Sequence, residues 1–136
     1  MVAASGKKVW VGRVISGLAS LVFLMSAFMK LKGGPELAQG MAHLGLRESM
    51  VVPLSILELS CTAIYLIPAT SVPGAILLAG YIGGAILTHW RVGDPFFVQI
   101  ALGLLVWLGL YLREPRLKEL IPLRTRKDVE PVDRAR

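Results

Sequence analysis

Glu58 is the only charged residue between Met50 and Ile67, a stretch otherwise made of apolar and small hydroxyl side chains with one cysteine. An ionised carboxylate alone in such surroundings would cost several kcal/mol, so Glu58 must face other protein and be protonated, paired or hydrated. Toward the ends of neighbouring apolar runs stand Lys30, His89, Arg91, Asp94 and Gln99. A buried carboxyl and an imidazole sharing one polar pocket could exchange protons with a lipophilic ligand. Each residue also has a plainer role. Glu58 could be a neutral acid bonded to a neighbouring hydroxyl or carbonyl, Lys30 and Arg91 could be anchors snorkelling to the surface, and Asp94 could cap a helix.

The elements that must position these groups are apolar helices. Of the 136 residues 54% are hydrophobic, and the mean hydropathy is +0.63, too apolar for an ordinary soluble domain. Four runs of roughly 17–21 residues, at 9–29, 50–67, 73–89 and 96–112, are each long enough for a hydrocarbon core of ~30 Å. They lack the polar face at a 3.6-residue period that buried helices of a soluble bundle would carry. The pattern predicts an all-α membrane protein, with four transmembrane helices in an up-down bundle over residues 9–122. Residues 1–8 read as a polar lead, and 123–136 as a disordered charged tail. Asp94-Pro95 reads as the start of the fourth helix, with Asp94 accepting from free backbone N–H groups. In an up-down bundle Lys30, His89, Arg91, Asp94 and Gln99 converge on an outward-facing mouth above Glu58.

Most of the fifteen Lys+Arg lie with the two termini, against Lys30, Lys32, Arg47 and Arg91 on the other side. By the positive-inside rule both termini are cytoplasmic. The net charge of +6 is therefore a topology signal and the expected partner is the lipid bilayer. No nucleic acid is expected, because no recognition motif accompanies the basic residues. Gly12, Ser16 and Ser20 recur every four residues, and Gly80 and Gly84 form a G-x-x-x-G. Both patterns predict close helix packing. Residues 36–47 are too polar to span and read as a short piece along the outer surface, while Trp10, Tyr65, Tyr111 and Trp90 read as interfacial aromatics.

Several chemistries are disfavoured. The one cysteine, Cys61, cannot form an internal disulfide, which excludes a self-contained thiol oxidase, and it reads as inert packing. His43 and His89 are not paired at helical spacing, so no metal or haem site is expected. No phosphate-cradling glycine loop and no serine–histidine–acid order is recognisable, and no cofactor is evident from the residues.

Four strings carry a resemblance. They are Phe28-Met29-Lys30-Leu31 followed by Gly33 and Pro35; His43-Leu44-Gly45-Leu46; Ile56-Leu57-Glu58-Leu59; and, most specific, Gly80-Tyr81-Ile82-Gly83-Gly84-Ala85 through His89-Trp90-Arg91-Val92-Gly93-Asp94-Pro95. In these the chain resembles the DoxX-like family of small bacterial four-helix membrane proteins. The resemblance implies a multi-pass protein of the bacterial cytoplasmic (inner) membrane and singles out the same Glu58 and His89. Some members of that family are subunits of membrane oxidoreductases, including thiosulfate:quinone oxidoreductases and thiol-stress complexes. Three functions are therefore carried forward. The leading one is an accessory membrane subunit of a quinone-linked oxidoreductase complex, with quinone reached through proximity or through the redox partner. The alternatives are a small proton or solute carrier, which as a four-span chain would need a homo-oligomer, and a structural or assembly factor.

Overall fold

The computed structural model describes residues 5–121, and among these it contains helices and no strand. The expected tail at 123–136 and the first residues of the lead lie outside the described part. Helix α1 runs Gly6–Lys32, so the last residues of the expected lead are already helical. It stops where Gly33 and Gly34 take φ of 70° and 120°, values that glycine alone adopts without strain. A short helix α2, Pro35–His43, follows, with Pro at its first position. A 3-10 turn, Glu48–Met50, leads into α3, Val51–Leu66, and another, Pro68–Thr70, into α4, Ser71–Arg91. Helix α5 spans Phe97–Arg113, and a final short helix α6, Pro115–Leu120, is held at its start by the Glu114 side chain accepting from the Arg116 N–H.

The four long helices form a closed ring in which α1 touches α3 and α5, and α4 touches the same two. Neighbours run antiparallel, as the contacts between opposite ends require. Gly12 near the start of α1 lies against Gly109 and Arg113 near the end of α5, and Gly74 near the start of α4 lies against Tyr65 near the end of α3. The stretches Gly6–Lys32, Glu48–Leu66 and Pro68–Arg91 are long and apolar enough to cross a membrane, and Phe97–Arg113 is a shorter apolar helix.

Polarity is reversed relative to a water-soluble bundle. Leu18, Phe28, Leu87, Val98 and Leu104 point outward, each more than half exposed, whereas Ser16, Ser20, Ser55, Glu58 and Thr62 are buried between helices. Apolar surface on that scale needs a lipid solvent. Inside lipid the helices then gain by approaching closely and by pairing polar groups.

Close approach happens on α1 but not where the G-x-x-x-G of α4 suggests. A Cβ built on Gly12 would stand 2.6 Å from the Arg113 backbone N and 2.8 Å from the Gly109 carbonyl, so the α1–α5 seam needs a bare backbone there. Gly80, Gly83 and Gly84 have nothing within 4 Å of such a Cβ. The expectation of a packed Gly80/Gly84 face is therefore corrected within this chain: the face is open. The glycine of α4 that does pack is Gly74, whose Cβ would collide with the backbone of Tyr65.

Tyr65 is likewise not an interfacial aromatic, being wholly buried near the C-terminal ends of α3 and α5. Its hydroxyl donates to the Val106 carbonyl at 2.8 Å, so the Ser16 hydroxyl at 2.9 Å must donate to the phenol oxygen. Arg113 lies over the ring at 4.6 Å and donates to the Tyr65 carbonyl at 2.6 Å. One tyrosine thus ties α1, α3 and α5 together. Tyr65→Phe, which keeps the ring and removes the shared hydroxyl, is expected to lower stability by about 1–2 kcal/mol in a thermal melt of the detergent-solubilised protein.

Candidate functional site

Glu58 lies in the middle of α3 and is 2% exposed. Its carboxylate is paired with Lys30, whose Nζ stands 2.7 Å from Oε2. Lys30 comes from the last turn of α1, and its long apolar stem lets the ammonium reach inward along the bundle instead of out to the surface. That overturns the snorkelling role for this residue. The ammonium also donates to Ser26 Oγ at 2.6 Å and to the Tyr81 hydroxyl at 3.2 Å. All three N–H bonds of Lys30 are thereby used, and α1, α3 and α4 are pinned at one point. Because Tyr81 accepts from Lys30, its own O–H proton is left to donate, with the Glu58 carboxylate close by.

Beside this cluster is a cavity of about 390 Å³, within the range of small-molecule sites. Its polar edge is Lys30, Tyr81, Thr88 and His89. One wall is the open Gly80-Gly84-Ala85 face, and the rest is Leu54, Leu57, Met41, Leu44, Leu46 and Met50. The bare glycines of α4 therefore make room beside the ion pair instead of seating another helix of the chain.

His89 lies in the last turn of α4 with Nδ1 2.8 Å from the Ala85 carbonyl, which only a donor can satisfy, so the proton sits on Nδ1. Nε2 is left as an acceptor for the Gln99 amide N–H at 3.3 Å, and the Gln99 carbonyl oxygen is buried without a partner among the described residues. A proton arriving at Nε2 would be met by that oxygen after a flip of the amide.

The six residues expected at one mouth fall into three groups. Lys30 and Glu58 are joined directly, His89 and Gln99 form a second pair, Lys30 and His89 are the members that line the cavity, and Arg91 and Asp94 lie outside it. Asp94 does not cap α5, which begins at Phe97; the carboxylate is taken by His43 Nε2, at 2.9 Å and 3.0 Å from its two oxygens. Arg91 donates to the Leu44 carbonyl at 2.5 Å. Of the packing residues, Ser16 is bonded to Tyr65, while the buried Ser20 Oγ has no partner among the described residues. Cys61 is buried and free, one turn from Glu58.

Sequence reasoning missed Ser26, Tyr81 and His43. Ser26 had a signal, since it precedes Lys30 by four residues on one helix face. Tyr81 had one too: a hydroxyl in mid-span needs a buried partner. His43 had none, because its partner is 51 residues away.

Outward apolar helices enclosing an ion pair and a cavity define a helical integral membrane protein. A model of the DoxX-like family matches residues 14–111, and the chain belongs to that family. No curated protein and no solved structure matches it.

Proposed function

We propose that this protein is an accessory membrane subunit of a quinone-linked oxidoreductase complex in the bacterial cytoplasmic membrane. It would cross the bilayer four times with both termini inside. The observation that carries the reading is the cavity of about 390 Å³, where mostly apolar walls meet a hydroxyl and an imidazole at one edge. A quinone head is a flat apolar ring with carbonyl oxygens, and the fit is chemical: the Tyr81 hydroxyl has a proton to donate, and the glycine wall leaves room for a ring. When bound, a quinone supplies two-electron, two-proton chemistry to a redox partner. This chain's residues would hold the ring, exclude water from it and manage a proton at His89 Nε2. Lys30 would not bind the ligand directly, its donors being satisfied by Ser26, Glu58 and Tyr81.

Affinity purification from native membranes in mild detergent, with mass spectrometry of proteins and extracted lipids, is expected to yield quinone and an oxidoreductase partner. A lone chain or homo-oligomer with phospholipid alone would overturn the reading and leave the carrier, tested by flux in vesicles. In the purified protein, Tyr81→Phe is expected to weaken binding of a short-chain benzoquinone by roughly tenfold, the worth of one hydrogen bond. Gly84→Leu, which fills the open wall, should abolish it.

A further inference from the structure

The cavity beside Tyr81 has one side without a wall. Gly80 and Gly84 of α4 line it and are themselves exposed, and a Cβ added to either would meet nothing within 4 Å. Thr88 continues the same face, so the strip from Gly80 to Thr88 runs about 12 Å along α4. Across the gap stands Leu57 of α3, which lines the same cavity and is 49% exposed. The gap is local, since at the other end of this seam Gly74 lies against the Tyr65 backbone.

The opening lies at hydrocarbon depth. Leu57 adjoins Glu58 in the middle of α3, and Gly80 is near the middle of α4. Leu77 and Leu87, one turn before Gly80 and one turn after Gly84, point outward, 46% and 64% exposed. Apolar lips at that depth face acyl chains. The outer end of the cavity is lined by Met41, Leu44, Leu46 and Met50, apolar side chains that offer nothing to a polar solute passing from that end. Inside, Lys30 spends its N–H bonds on Ser26, Glu58 and Tyr81, and Thr88 donates to the Gly84 carbonyl at 2.7 Å. What is left at the polar edge is the Tyr81 hydroxyl and the His89 imidazole. Lys30 and Glu58 cancel each other's charge, so together they hold out no net charge to an ionic head.

We infer that the cavity is a side pocket of the bilayer, entered from the hydrocarbon between α3 and α4 through the gap at Leu57, Gly80 and Gly84. Its ligand is a membrane-dissolved molecule that sets an uncharged head against Tyr81 and His89 while its hydrocarbon part stays among the lipid. Water-soluble solutes have no place in it. The inference rests on the cavity being a ligand site, as proposed above, but the route can be tested without a ligand.

The test labels the full chain in phospholipid vesicles from two sides, with a carbene generated from a trifluoromethylphenyl diazirine dissolved in the bilayer and with hydroxyl radicals generated in the water, and locates the adducts by peptide mass spectrometry. The carbene is expected to mark Tyr81 as it marks the outward Phe28 and to spare the wholly buried Tyr65, while the radicals leave Tyr81 intact. Gly84→Leu should cut carbene labelling of Tyr81 roughly tenfold, because the leucine occupies the gap. Phe28 still marked and Tyr65 still spared in that variant report an intact bundle. Gly83→Leu, exposed but outside the cavity lining, should keep the parental labelling of Tyr81. Oxidation of Tyr81 by the radicals without carbene labelling would put the entrance on the water side, labelling by neither would mean that the gap is covered, as by a second copy of the chain, and full labelling in Gly84→Leu would mean that the probe arrives elsewhere. Each of these overturns the inference. Because no quinone enters this measurement, a pocket open to the bilayer that fails to bind quinone would refute the quinone-linked subunit and leave the route standing.

Discussion

Glu58→Leu is expected to cost the folded state about 3–5 kcal/mol, because it strands the Lys30 ammonium between helices with its main counter-charge gone. Lys30 is 18% exposed and Glu58 2%, so solvent can compensate little of the loss. Glu58→Gln keeps an acceptor for Lys30 and should cost less, about 1–3 kcal/mol. The decisive variant is the double one. Lys30→Met with Glu58→Leu removes both charges, leaves Ser26 and Tyr81 to bond each other or the backbone, and should recover most of the stability lost in either single variant. Thermal melts of the four proteins in one detergent give the coupling directly. A double variant as unstable as the sum of the singles would mean that Lys30 and Glu58 act independently. Quinone binding by the double variant separates scaffold from site, since Lys30 has no free donor for a ligand and the Tyr81 hydroxyl survives.

Gly74→Ala should be the most damaging methyl that can be added to α4. The new Cβ would fall on the Tyr65 backbone, which cannot rotate away as a side chain could. Overpacking of side chains costs about 1–3 kcal/mol, and a clash with main chain should reach the top of that range or exceed it. The damage would spread to Ser16, Val106 and Arg113, which all bond to Tyr65. Gly80→Ala and Gly84→Ala meet open space and, by helix propensity, should leave stability unchanged or raise it by up to about 1 kcal/mol. Melting temperatures of the three variants decide it. A loss at Gly80 comparable to that at Gly74 would mean a second copy of the chain packs on the open face.

The contrast between these glycines shows how far the sequence could be followed. Apolar runs of spanning length are a one-dimensional property, so the long helices were legible, as was the need of Glu58 for company. What Glu58 pairs with was not, because Lys30 looks like every lysine that ends a membrane helix; its inward turn depends on where α3 and α4 place Glu58 and Tyr81. Small-residue spacing singled out Gly12 and Ser16, which lie in the seam between α1 and α5, yet the same spacing at Gly80 and Gly84 frames a void. Spacing reports which residues share a face and is silent on what lies opposite. Asp94-Pro95 misled for a related reason: a local cap competes with His43, a partner brought in from another segment. The carboxylate is engaged by His43, and α5 starts at Phe97 with no side-chain cap.

The ring of four long helices has its broadest contact between α1 and α5, the first and the last of them to be synthesised. Gly12 against Gly109, and Arg113 over the tyrosine that Ser16 bonds, are contacts the growing chain cannot make early. Helices α3 and α4 are joined through Pro68–Thr70 and can pair as soon as both are inserted, with α1 against α3, but the side of α1 that carries Gly12 stays uncovered until α5 arrives. Biogenesis therefore passes through an open half-ring, closed only by the last helix. A chain cut short anywhere before Arg113 would display that unsatisfied face to the membrane, where a quality-control protease or chaperone could recognise it.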